Sequence, residues 1–244
     1  MGQDWRPNQA MSQELLHEVL KVAGLRILDA VTPREHNRCI VFHAYVVVTY
    51  VVSLRGSEGL LLDLVGLIRQ WEKGDGSCVV VALLGKIKGK HHERCHLLPS
   101  VTVTQSGVKV AESLERLIAS KGRNGFHDGP AISDEKGEAY SSRAIDDCLH
   151  EILEDLFDEK PTLFPPNIGD KEELKKRFQA FRTFRRTSDT QAVEMKVAQD
   201  DIDVVNRWKS IEKAKGKRPS RPMRQHYADV SLLLKPFLRY MWAM

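Results

Sequence analysis

Residues 40–54 form an almost entirely apolar run, and this feature limits the possible folds most. The run includes His43 and is bounded by Arg38 and Arg55. A membrane-spanning helix needs about 17–25 apolar residues, so the run is too short to cross a bilayer. Its β-branched residues favour a strand, but it is longer than an ordinary strand. We therefore predict a buried core helix over residues 40–54 and no membrane segment.

Shorter patterns on both sides of this run predict the other elements. Helical patterns predict helices over residues 12–28, 57–71, 109–120, 141–156, 171–186, 188–198 and 200–215, and a pair of helices from 223 to the end. Two further apolar runs, at 78–84 and 95–99, predict a hairpin with a basic connector over 85–94. No long linker divides the 244 residues. We therefore predict one mainly α domain with a small antiparallel β-sheet (α+β).

Charge is distributed unevenly along the chain. Residues 175–224 hold 15 basic and 6 acidic side chains, a net charge of +9, whereas the other residues carry a net charge of −5. A locally basic surface suits a polyanion such as nucleic acid, although a solvated helical face has the same composition. The four widely spaced cysteines include no CxxC pair and indicate a reducing compartment.

Two segments in the first half of the chain carry cations suited to phosphate chemistry. Arg55 follows the predicted buried helix, and Glu58 could orient its guanidinium, which can bind a phosphate bidentately. Lys86 and Lys88 lie on the predicted hairpin tip, where a lysine could protonate a leaving oxygen. An ordinary helix-end salt bridge and a solvated basic turn are the alternatives.

Two segments in the second half add further candidates. Arg182 and Arg185 share one face of a predicted helix, and Arg186 competes with Arg185. Trp208 can donate a hydrogen bond through its indole N–H, and Tyr227 lies beside basic residues that could activate it as a nucleophile. The alternatives are an amphipathic helix with a core tryptophan and a tyrosine used in packing.

A zinc site is a weaker interpretation of the hairpin connector. It would use four side chains that lie too close together in an extended segment, without a second ligand pair at a suitable distance: His91, His92, Cys95 and His96. We therefore predict no metal site.

In chain order, six side chains resemble the catalytic set of the tyrosine recombinases, the phage-integrase-type site-specific recombinases: Arg55, Lys88, Arg182, Arg185, Trp208 and Tyr227. Residues 49–58 resemble the family's first arginine box, in which a Leu-Arg-x-x-Glu core follows a buried helix. Residues 184–186, 206–208 and 223–227 are most similar to recombinases of eukaryotic Crypton-type transposable elements. The resemblance covers nearly the whole chain.

The sequence departs from the family pattern in three ways. Arg182 stands where the family has His, and Lys86 competes with Lys88 for the lysine position. A basic insertion lengthens the interval between Trp208 and Tyr227. We expect residues 1–244 to be a single catalytic domain, with the family's N-terminal DNA-clamping (core-binding) domain absent.

The resemblance implies DNA strand breakage and rejoining for recombination or integration, through a 3′-phosphotyrosyl intermediate and without a cofactor. It implies double-stranded DNA as partner, self-association on DNA through the C-terminal segment, and a nuclear location in a eukaryote or otherwise a cytoplasmic one. Basic side chains near the nucleophile are candidates for DNA binding: Lys213, Lys215, Lys217, Arg218, Arg221 and Arg224. The rival functions are an inactive DNA-binding module and a topoisomerase-like enzyme acting as a monomer.

Overall fold

The computed structural model describes residues 9–69, 78–83 and 96–206. These residues contain helices α1 (Gln13–Asp29), α2 (Pro33–Val51), α3 (Gly56–Leu60), α4 (Leu64–Arg69), α5 (Val110–Arg123), α6 (Ser142–Glu159), α7 (Lys171–Arg177), α8 (Ala180–Glu194) and α9 (Gln199–Val205). Strands β1 (Cys78–Leu83) and β2 (His96–Val101) lie between α4 and α5 in the chain.

Helix α2 contains most of the apolar run and lies at the centre of the described residues. It packs against α1, α5, α8 and α3, and its apolar side chains from Ile40 to Val51 are almost completely buried. The predicted buried helix is therefore confirmed, with different ends. Helix α2 begins earlier because Thr32 caps it, Pro33 occupies its first turn, and Glu35 completes a capping box. No helix of the described residues is long and apolar enough to cross a membrane.

Helices α1 and α6 cover one side of α2. Ser12 caps α1 as predicted, because its side chain accepts a hydrogen bond from the Leu15 amide at 3.1 Å. The buried stripe of α1 packs against α2, and α1 also contacts α6. Helix α6 contacts α7 and α8 in turn. One continuous apolar core therefore joins the first helices of the chain to the basic helix α8.

The predicted hairpin strands are present as a two-stranded antiparallel pair. Val80 lies opposite Pro99 in the register of β1 and β2. Strand β1 contacts α4, and β2 contacts α5, so the pair attaches to the helical domain along one edge. The fold class predicted from the sequence, mainly α with a small antiparallel β-sheet, is confirmed.

Three predicted helix boundaries are wrong. The helix predicted over 57–71 is two helices, α3 and α4, and Asp63 begins the second by accepting a hydrogen bond from the Val65 amide at 2.8 Å. The helix predicted over 171–186 breaks at Phe178, because Asp146 on α6 accepts a hydrogen bond from the Ala180 amide at 2.7 Å and thereby starts α8. Helix α8 then runs to Glu194, through the predicted boundary at residue 188.

Candidate active site

Ser53 ends helix α2 in a left-handed conformation. Its φ is +47°, and the two hydrogen bonds of a Schellman motif close the helix: the Leu54 amide donates to Thr49 O at 3.0 Å and the Ser53 amide to Tyr50 O at 3.3 Å. The chain consequently turns sharply out of the core before Arg55. The next helix, α3, begins immediately at Gly56.

Glu58 fixes Arg55 at the start of α3. The Arg55 amide donates to Glu58 Oε2 at 2.8 Å, and Arg55 Nη1 donates to Glu58 Oε1 at 3.0 Å. The side chain of Glu58 is 5% exposed, whereas that of Arg55 is 34% exposed. A buried carboxylate therefore holds a guanidinium that solvent can still reach. This contact fits both sequence interpretations, a carboxylate that orients Arg55 and an ordinary helix-end salt bridge.

Two glycines bring α3 close to its neighbours. A Cβ at Gly56 would lie 2.5 Å from the Phe181 Cα on α8, and a Cβ at Gly59 would lie 2.6 Å from Thr49 Cγ2 on α2. Contacts this short exclude a side chain unless the backbone moves. The absence of a side chain at Gly56 therefore lets α3 pack closely on α8, and its absence at Gly59 lets α3 pack closely on α2.

Arg185 projects from α8 towards the same carboxylate. Its Nη1 lies 4.0 Å from Glu58 Oε2, its Nε lies 4.0 Å from Asp189 Oδ2, and its Nη2 donates to Asn206 O at 3.2 Å. The side chain of Arg185 is 11% exposed. Arg55 and Arg185, predicted from two separate segments, therefore meet at Glu58. Two fixed cations beside one carboxylate can bind a phosphate diester.

A buried polar cluster borders Arg185 on the side of α9. Asn206 Nδ2 donates to Asp189 Oδ1 at 2.7 Å, and Ser53 Oγ lies 2.8 Å from Asn206 Oδ1 and 3.1 Å from Asp189 Oδ1. Ser53 and Asn206 are fully buried. The sequence interpretation gave no role to this cluster. The four-residue spacing of Arg185 and Asp189 on one helix was the available signal.

The other two predicted arginines of α8 have different surroundings. Arg182, one turn before Arg185, is exposed, and within the described ranges its side chain makes no hydrogen bond or salt bridge, although its amide donates to Gln179 O at 3.0 Å. Arg186 is half-buried. Arg182 is therefore available to a ligand near Arg185.

The remaining predicted site residues lie outside the described residues: Lys86, Lys88, Trp208, Lys213, Lys215, Lys217, Arg218, Arg221, Arg224 and Tyr227. Three of the alternative zinc ligands, His91, His92 and Cys95, lie outside them as well. Within the described residues, no three side chains of His, Cys, Asp or Glu are grouped so that they could hold a metal ion.

A separate pocket of about 290 Å³ lies between α1, α2 and α5. His43 lines it and shares a hydrogen bond with Ser113 Oγ, 3.0 Å from its Nδ1. Burial, together with the charge of Arg116, lowers the pKa of His43 to about 4. His43 is therefore neutral at physiological pH and cannot serve there as a protonated acid.

The fold is similar to that of a known DNA enzyme. The crystal structure of the XerH site-specific recombinase, bound to its difH substrate in a pre-cleavage complex, aligns with 91% of this chain at a TM-score of 0.53 and 11% sequence identity. The alignment covers 53% of the XerH chain, so this chain spans about half the length of that recombinase. The sequence matches no protein-family model and no curated protein.

The helical core with a small sheet, which the sequence predicted, is similar to the fold of that recombinase. At 11% identity this similarity establishes the fold alone.

Proposed function

We propose that this chain is the catalytic domain of a tyrosine recombinase, which breaks and rejoins DNA through a covalent 3′-phosphotyrosyl intermediate. The observation that carries the proposal is the convergence of Arg55 and Arg185 on Glu58. The similarity of the fold to a site-specific recombinase supports the same class.

The two arginines provide the charge stabilisation that phosphoryl transfer needs. Guanidinium groups remain charged at every accessible pH and present paired donors to phosphate oxygens. Arg55 and Arg185 stabilise the negative charge that develops on the non-bridging oxygens of the scissile phosphate. Preorganised donors of this kind each contribute about 2.7–4 kcal/mol to transition-state stabilisation. Arg182 contacts the neighbouring phosphate, and Arg186 supports the same helix face.

The reaction uses three side chains from outside the described residues. Tyr227 loses its phenolic proton to solvent as its oxygen attacks the phosphorus and forms a phosphotyrosyl bond, while the bond from phosphorus to the 5′-oxygen breaks. Lys88, or its neighbour Lys86, gives a proton to this leaving oxygen, and Trp208 donates a hydrogen bond to the phosphate. Attack by a 5′-hydroxyl reverses the step and rejoins the strand. We propose that this chemistry requires neither a metal nor a nucleotide.

The basic segment 175–224 is proposed to bind duplex DNA through its phosphates. Each phosphate that the protein neutralises changes the slope of log K against log salt by about −0.9. Charge removal at Lys213, Lys215, Lys217 and Arg218 should therefore flatten that slope and weaken binding.

The finer assignments also rest on the sequence resemblance. We propose that the chain derives from a Crypton-type transposable element, acts in the nucleus of a eukaryote, and self-associates on DNA through its C-terminal segment. Gel filtration with and without a specific duplex tests the last of these assignments.

The alternative is a catalytically inactive DNA-binding module. Covalent trapping separates the two functions: the full chain is incubated with a pool of nicked duplexes randomised around the nick, and adducts are sought by denaturing electrophoresis. The nick lets the short 5′-hydroxyl strand diffuse away, so that the reaction cannot reverse. Protein-linked DNA that survives denaturant supports the recombinase, whereas salt-sensitive binding without any adduct supports the binding module.

A further inference from the structure

We infer that Ser53, Asp189 and Asn206 form a positioning network that fixes the guanidinium of Arg185 for reaction with DNA. The inference rests on the proposed function for its catalytic consequence, but the geometry of the network does not depend on it. None of the three residues is expected to touch DNA, so each is a positioning residue.

The hydrogen bonds of the network have a consistent direction. Ser53 Oγ has one proton, and among the described residues Asn206 Oδ1 at 2.8 Å and Asp189 Oδ1 at 3.1 Å can accept it. The shorter contact gives an ordered chain, in which Ser53 donates to the Asn206 amide oxygen and the Asn206 amide nitrogen donates to Asp189 at 2.7 Å. The side chain of Asn206 is therefore held at both ends.

This chain of hydrogen bonds acts on Arg185 from two directions. The backbone carbonyl of Asn206 accepts a hydrogen bond from Arg185 Nη2 at 3.2 Å, and its position is set by the anchored side chain of the same residue. The second oxygen of Asp189 lies 4.0 Å from Arg185 Nε. With Glu58 Oε2 at 4.0 Å from Nη1, the guanidinium has a polar neighbour near each of its three nitrogens. The guanidinium is therefore held by a hydrogen bond at Nη2 and by two carboxylates at ion-pair distance from Nε and Nη1.

The backbone conformation of Ser53 supports a role for its hydroxyl group in the network. Ser53 occupies the C′ position of a Schellman motif at φ +47°, where glycine is the usual residue. This conformation is unfavourable for a residue other than glycine, because its Cβ comes too close to the following carbonyl oxygen. Glycine would fit this turn with less strain, so the backbone conformation does not explain why residue 53 is a serine. The hydroxyl group, which lies within hydrogen-bond distance of Asn206 and Asp189, does explain it.

A set of matched variants isolates the network. Asp189→Asn keeps the shape of the side chain and removes its negative charge beside Arg185. Ser53→Gly removes the hydroxyl and relieves the backbone, whereas Ser53→Ala removes the hydroxyl and keeps the unfavourable φ. Glu194→Gln removes one charge from an exposed position of the same helix and is the control. If Asp189→Asn does not fold, Ser53→Gly carries the same test, because its backbone becomes less strained.

The first measurement is independent of DNA. The Nε–H exchange rate of Arg185 is followed by ¹H–¹⁵N NMR, with the signal identified by its loss in Arg185→Lys. We expect slow exchange in the wild type and an increase of about tenfold or more in Asp189→Asn and Ser53→Gly, with no change in Glu194→Gln. Unchanged exchange in both network variants would overturn the inference, whatever the protein does to DNA.

The second measurement uses the covalent trapping assay at saturating DNA. Asp189→Asn and Ser53→Gly should form adduct about tenfold more slowly, while their DNA affinity stays within about threefold of the wild type. A structural role alone predicts instead that Ser53→Gly is more active than Ser53→Ala. Faster exchange with an unchanged adduct rate would overturn the catalytic role of the network. If the wild type forms no adduct, the proposed function fails, and the exchange rates still decide whether the network orients Arg185.

Discussion

Arg55 and Arg185 contact the same buried carboxylate, that of Glu58, although they come from opposite halves of the chain. Glu58 is only 5% exposed, and Arg55 is the more accessible of the two arginines, at 34% against 11%. The site therefore combines a rigid guanidinium with one at the surface.

Loss of either arginine should slow chemistry far more than it weakens binding. Arg55→Ala and Arg185→Ala each remove a charge contact that strengthens in the transition state, so adduct formation should slow by about 100-fold or more. Single-turnover trapping at saturating DNA measures the rate. Arg143→Ala, at an exposed position near the start of α6, is the control. A rate within fivefold of the wild type for either site variant would contradict its assignment.

Glu58→Gln should destabilise the protein as well as the site. The substitution removes the charge that holds two arginines, and hydrogen bonds to charged groups contribute about 1.5–3 kcal/mol to the free energy of unfolding. Urea denaturation measures this loss.

The control for this substitution is another glutamate that joins two cations. Glu112 lies 3.0 Å from Lys109 Nζ and 2.8 Å from Arg116 Nη2, but its side chain is 48% exposed. Exposed pairs contribute about 0–1 kcal/mol, so Glu112→Gln should change the free energy of unfolding by less than about 1 kcal/mol. Equal losses for the two variants would show that the burial of Glu58 has no energetic consequence.

Gly56→Ala tests the close approach of α3 and α8. The added methyl group would lie 2.5 Å from the Phe181 Cα, so one helix must move, at a cost of about 1–3 kcal/mol. Gly24 on α1 has no atom within 4 Å of the corresponding position, and Gly24→Ala should stabilise the protein by about 0.5–1 kcal/mol. Thermal denaturation compares the two. A stable Gly56→Ala variant would contradict the described packing.

Acidification should destabilise the protein through His43. Its pKa is about 4 in the folded chain and about 6.5 when unfolded, so the unfolded state binds more protons between these values. The contribution of His43 to stability is therefore complete above pH 6.5 and is lost as pH falls towards 4, by about 3 kcal/mol. Urea titrations at several pH values should show that the free energy of unfolding depends less on pH in His43→Gln than in the wild type. His127→Gln, at an exposed position, should retain the wild-type dependence.

The sequence predicted the parts of the fold that depend on local pattern. The apolar run predicted α2, because burial on all sides leaves no polar face to interrupt it. The break between α7 and α8 was missed because it depends on Asp146, which is distant in the sequence and accepts from the Ala180 amide. A hydrogen bond between two separate elements produces no periodic pattern in the amino-acid sequence, so the sequence does not reveal it.

In the candidate site as well, the sequence predicted what depends on local pattern and missed what depends on contacts between distant elements. Motif order put Arg55 and Arg185 in the predicted site and the arginine-box pattern included Glu58, and the structure brings these three side chains together. The role of Ser53 could not be predicted, because its positive φ and its contact with Asn206 arise only when α2, α8 and α9 pack together. Residues that act on a neighbour through hydrogen bonds have no characteristic spacing.

The most direct test of the central claim is the identity of the residue that becomes linked to DNA. Tyr227 and Tyr240 are the two tyrosines that follow Trp208, and Tyr240 lies in an apolar segment that suggests packing. A phenol with a pKa near 10 is a weak nucleophile at neutral pH, so it needs the surrounding positive charge. On nicked duplex DNA, Tyr240→Phe should form covalent adduct like the wild type, whereas Tyr227→Phe should bind DNA with wild-type affinity and form none. An adduct formed by Tyr227→Phe would contradict the account.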